Sequence, residues 1–134
     1  MFKGKRIFLI VLSTLILIGA VSTPISAATY KTIYAETVNT RTGVEYFTPT
    51  FVLNTSSLHY HIKRRTYGSY ITRISLQVYT NGKWNTKASA STSGSTSKTG
   101  DFTNLETGLS YRVVTTTTDP STKYTNLTLS EVYE

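Results

Sequence analysis

The chain has no cysteine in its 134 residues, and only three prolines and seven carboxylates. Without thiols there is no disulfide framework, no thiolate nucleophile, no cysteine-ligated metal and no lipid-modified cysteine at a processed N-terminus. The seven carboxylates are scattered singly, so the sequence sets up no paired acid/base site. Helical periodicity is also missing: beyond residue 28, no stretch repeats apolar residues at i, i+3 and i+4. Serine is abundant enough to assemble a Ser/His/Asp set on paper, but no nucleophile-elbow pattern accompanies it. Neither catalysis nor a cofactor is expected.

One long apolar run is present, and it lies at the start. Lys3, Lys5 and Arg6 precede the run 7–21, and Pro24 with the small residues Ser26, Ala27 and Ala28 follows it. This is the three-part pattern of a secretory signal peptide. The run is shorter than the ~20 residues that a membrane-spanning helix needs, and Ser13 and Thr14 interrupt it. The expectation is a signal peptide over 1–28, cleaved after Ala27 or Ala28, and one secreted domain over 29–134. Three of the 14 Lys and Arg lie in the leader, leaving 11 against 7 Asp and Glu and a net charge of +4 for the domain. That surplus suits anionic envelope polymers, acidic glycans, lipid headgroups or an extracellular protein, and nucleic acid is not an expected partner. Export without cysteine fits a bacterium.

Period-two alternation runs through 29–134, which predicts strands. Residues 30–38 alternate without a clearly apolar face; 39–46 reads as a turn around Gly43, and 47–53 as a short edge strand because Pro49 has no backbone donor. Residues 57–63 alternate cleanly, with Leu58, Tyr60 and Ile62 inward and His59, His61 and Lys63 outward. Residues 70–80 follow, with Ile74, Leu76 and Val78 inward and Tyr79 outward. Asn81-Gly82 is the preferred pair for a two-residue type I′ hairpin. Trp84, the sole tryptophan, begins the return strand and is expected to anchor the core. The Ser/Thr-rich stretch 86–100 reads as a mobile loop or a polar edge hairpin turning at Gly94.

In 101–118, Leu105, Gly108 and Tyr111 are followed by Val113 and Thr115 in alternation. This Leu-x-x-Gly-x-x-Tyr-x-Val pattern resembles the tyrosine corner of fibronectin type III and related immunoglobulin-like sandwiches. The resemblance implies that Tyr111 pins a crossover between two sheets, with Phe102 and Leu105 packed below it. With a final strand near 124–134, the expected fold is all-β: a single antiparallel immunoglobulin-like sandwich of about seven strands. A small β-barrel is the alternative.

The candidate site is the stretch 57–70, which holds both histidines and the run Lys63, Arg64, Arg65. If the run fans out around a turn, Lys63, Arg64, Arg65 and Arg73, with Tyr67 and Tyr70, form an anion-contact patch. His59 and His61 project from one strand face and would add positive charge as pH falls through histidine's usual range near 6.5. Two imidazoles fall short of a closed metal site, so no metal is expected. The expected function is non-catalytic binding of an anionic or glycan component of the cell envelope or extracellular milieu. A bacteriocin-like toxin or secreted enzyme inhibitor is the alternative.

Overall fold

The computed structural model describes residues 27–94 and 96–134, so all but the last two residues of the expected signal peptide lie outside the described residues. Nine strands and no helix are found among the described residues. Two antiparallel sheets face each other in a sandwich-like arrangement, and neither closes into a barrel. The four-stranded sheet has the order β1-β9-β4-β7: β1 is Thr29–Thr40, β9 Lys123–Tyr133, β4 Leu58–Arg64 and β7 Ser97–Phe102. The five-stranded sheet runs β2-β8-β5-β6, with β3 also paired to β8. Here β2 is Tyr46–Phe47, β3 Phe51–Val52, β5 Ile71–Thr80, β6 Lys83–Ser93 and β8 Ser110–Thr117.

The count is nine rather than seven for two local reasons. The stretch 47–53 is two short edge strands, because Thr48-Pro49-Thr50 interrupts the pairing with β8. The Ser/Thr-rich stretch does turn at Gly94, where φ is +69°, but its arms part company. β6 ends the five-stranded sheet and β7 ends the four-stranded one, so this turn carries the chain between layers. Low-complexity sequence forms strands here because each arm has one partner strand to complete its hydrogen bonds.

Alternation places the core between the sheets. Leu58, Tyr60 and Ile62 of β4 and Leu127 and Leu129 of β9 meet Ile74 and Leu76 of β5 and Tyr111 and Val113 of β8. The ambiguity of β1 has a cause in the structure: the register shifts between Thr32 and Tyr34, so one residue bulges and parity reverses. Tyr30 and Thr32 lie on the outer face, whereas Val38 and Thr40 are buried. Asn81 and Gly82 both have positive φ, +54° and +76°, as the hairpin requires. At the crossover from β7 to β8, the Tyr111 hydroxyl donates to the Glu106 carbonyl at 2.7 Å, and its ring is buried with Phe102 and Leu105.

The end of the interior around Arg64 is polar. Arg64, Thr40 and Thr125 face inward from one sheet, Thr72, Thr92, Thr115 and Thr117 from the other, all buried. At the opposite end, buried Glu131 accepts from the Asn54 amide at 2.7 Å and the Tyr133 hydroxyl at 2.6 Å. Burial alone would push its carboxyl up. The bonds from Tyr133 and Asn54, with the charge of Lys31, outweigh that and hold it below the ordinary value.

Candidate functional site

β4 keeps its alternation to its last residue, and that divides the basic run. Arg64 takes the same parity as Ile62 and points inward, 2% exposed, while Lys63 and Arg65 point out. The guanidinium of Arg64 lies 3.7 Å from the centroid of the Tyr70 ring. It donates to the carbonyls of Gly68 at 3.0 Å and Thr92 at 3.4 Å, and has no carboxylate partner among the described residues. A desolvated cation is tolerable there because a π-face and two carbonyl dipoles surround it. Tyr70 is buried too, its hydroxyl donating to the Thr66 carbonyl at 2.8 Å and its ring 5.0 Å from Lys123 Nζ. The expected fan of three cations therefore does not form. Arg64 and Tyr70 clamp the 65–70 turn from inside, and Tyr67, 76% exposed, lies beside Gly94 and lines a depression with Tyr70, Asp119 and Lys123.

The remaining residues separate onto two outer faces. On the four-stranded sheet, His59, His61 and Lys63 form one line, spanning roughly 13 Å at the usual rise of a strand, and Arg65 follows in the bend after it. His59 Nδ1 is 2.7 Å from Asp101 Oδ1 across the pair with β7, and the Tyr30 ring packs edge-on against it. His61 Nε2 is 2.9 Å from Ser97 Oγ. Arg65 donates to Thr37 Oγ1 at 3.3 Å and reaches the Tyr124 ring, and it lines a shallow depression with Glu36, Asn126 and Thr128. Ser130 stands opposite His59 with its hydroxyl 3.4 Å from Thr32 Oγ1. No group of three metal-ligating side chains gathers among the described residues.

Arg73 sits on the other outer face, that of the five-stranded sheet, between Ser91 and Thr116. It lines a depression with Lys98, whose Nζ donates to the Ser91 carbonyl at 2.8 Å. Trp84 lies on this face as well and is half-buried, not a core anchor. Hairpin register explains the correction: a two-residue turn at 81–82 sets Trp84 opposite Tyr79, and Tyr79 points outward. Trp84 and Phe47 flank Arg112, whose guanidinium carbon is 4.3 Å and 4.4 Å from the two ring centroids. The sequence drew attention to none of Phe47, Gln77 and Arg112, since side chains from three strands meet here. The parity of Tyr79 was the available signal for Trp84.

No protein-family model, no curated protein and no solved structure matches the chain.

Proposed function

We propose that the chain is an exported, non-catalytic protein that holds an anionic polymer of the bacterial cell envelope along the outer face of its four-stranded sheet. The observation that carries this is the row His59, His61 and Lys63 on alternate positions of β4, continued by Arg65, which follows the strand and lies on the same face against Thr37 and Tyr124. Its spacing of about 7 Å per basic group suits a linear chain of repeating negative charges. Asp101 is paired with His59, and Glu36 shares a depression with Arg65. Lys63 has no carboxylate partner among the described residues, and neither has Arg65. The proposed fold type is immunoglobulin-like, supported by the Tyr111–Glu106 bond at a sheet-to-sheet crossover. It differs from the immunoglobulin plan in its final strand: β9 joins the sheet opposite β8, between β1 and β4.

Retention on a purified anionic wall polymer, measured at low and high salt, tests the proposal. Binding should weaken steeply with salt. The variant Lys63→Ala with Arg65→Ala should bind about tenfold more weakly at low salt, the loss of two exposed ion pairs of about 0.2–1 kcal/mol each. Retention that ignores both salt and these substitutions would sink it.

A further inference from the structure

The outer face of the five-stranded sheet carries a second, separate arrangement. Arg112 projects from β8, and its Nε donates to Gln77 Oε1 of β5 at 2.8 Å, which fixes the plane of the guanidinium. Phe47 of β2 lies against one side and Trp84 of β6 against the other. Tyr79 packs edge-on to Trp84 at 5.3 Å and 61°. Phe47 is 43% exposed and Tyr79 46%, so rings this large remain open to solvent on both flanks of the cation. Both ion pairs among the described residues lie elsewhere, so Arg112 has no carboxylate. A guanidinium presents five donors in a rigid fork matched to a carboxylate, and here only Nε is engaged.

Two chemistries thus meet on one outward face: exposed aromatic rings that accept apolar C–H surface, and a fixed, unmatched fork for a planar anion. A sugar ring that carries a carboxylate has both complements, C–H groups on its face and a planar anion at its edge. We propose that Trp84, Tyr79, Phe47 and Arg112 form a binding site for an acidic glycan built from uronic-acid units. The carboxylate of one unit meets the Nη groups of Arg112, while neighbouring rings lie over Trp84 and Tyr79. Arg73 lies further along the outward face of β5, four residues from Gln77 and roughly 13 Å away, where a longer chain reaches it. Glu45, in the depression beside Phe47 and Thr116, brings negative charge to the β2 edge of the site, level with Arg73, which pairs with Thr116. This site is independent of the basic line on the opposite sheet.

The chain's single tryptophan is a built-in reporter, because Trp84 is in the site and no other indole contributes to emission. The purified protein is titrated with a hexameric oligogalacturonide, with neutral maltohexaose and with inorganic polyphosphate. A saturable shift of Trp84 emission with the oligogalacturonide alone is the expected result. Arg112→Lys should weaken it at least tenfold, since lysine keeps the charge and loses the fork. Tyr79→Ala, at an exposed rim position, provides a second variant should Arg112→Lys fail to fold, and should weaken binding about threefold or more. Lys63→Ala with Arg65→Ala should leave the titration unchanged, which separates this site from the other sheet. No saturable shift, an equal response to maltohexaose or to polyphosphate, or unchanged affinity in both Arg112→Lys and Tyr79→Ala would each overturn the proposal.

Discussion

On the outer face of the four-stranded sheet, His59, His61, Lys63 and Arg65 lie side by side among Ser, Thr and Asn, with Asp101 against His59. On the outer face of the five-stranded sheet, one cation is held by two rings and an amide. Both faces use the same pleat, yet they hold charge differently. Along the line Lys63 and Arg65 are exposed to solvent, so their energetic role is long-range and screened by salt. In the cluster, the guanidinium is stacked and oriented before any ligand arrives, so little ordering is left for binding. The difference teaches that charge count alone describes a surface poorly; how firmly each charge is held decides what it can recognise.

Arg64 belongs to neither face and should give the largest effect. Arg64→Ala removes a buried stack and two bonds to carbonyls and leaves a cavity, costing about 2–4 kcal/mol in urea unfolding. Glu131, also interior, comes next. Glu131→Gln should lose about 1–3 kcal/mol near neutral pH, because the acceptor for Asn54 and Tyr133 is no longer charged. Its carboxyl is held below the ordinary value of 4.5 in the fold. That stabilisation is therefore complete above this pH and is lost as pH falls through the lower folded value. Wild type and Glu131→Gln should accordingly converge in stability on acidification, and parallel curves would contradict the assignment.

The faces themselves should separate more gently. Arg112→Gln forfeits two cation–π contacts of about 0.5–1 kcal/mol each and should cost about 1–2 kcal/mol. Lys63→Ala with Arg65→Ala on the opposite face should change stability by less than about 0.5 kcal/mol. Equal losses in the two variants, measured by thermal or urea unfolding, would erase the distinction between a held charge and a solvated one.

The parts of the fold legible in the sequence are those dictated by neighbours in the chain. The turn at Asn81-Gly82 needs two positive φ values that this pair supplies cheaply, and β4 alternates without interruption. What was illegible depended on distant partners or on a single slipped residue. The bulge near Ile33 reverses the faces of β1, so no single parity reads correctly from Tyr30 to Val38. The interruption at Pro49 splits one expected strand into two. In the sequence Arg64 groups with Lys63 and Arg65 because the run lies where the strand gives way to a turn; Tyr70 and the carbonyls of Gly68 and Thr92, which make its burial tolerable, come from segments that no local pattern links to β4. The Phe47–Arg112–Trp84 stack was invisible for the same reason, since its members are 28 and 65 positions apart from Arg112 in the chain.

The order of strands in the four-stranded sheet also governs when this protein can fold. Among the described residues β1 has no sheet partner except β9, and β4 has β9 on one side and only the short β7 on the other. The first strand to be synthesised must therefore wait for residues 123–133 before it can pair. Closing that loop spans nearly the whole domain, the kind of distant pairing that makes folding slow. The five-stranded sheet can be assembled without β9, but the four-stranded one stays open until β9 emerges, with β1 unpaired and β4 joined only to β7.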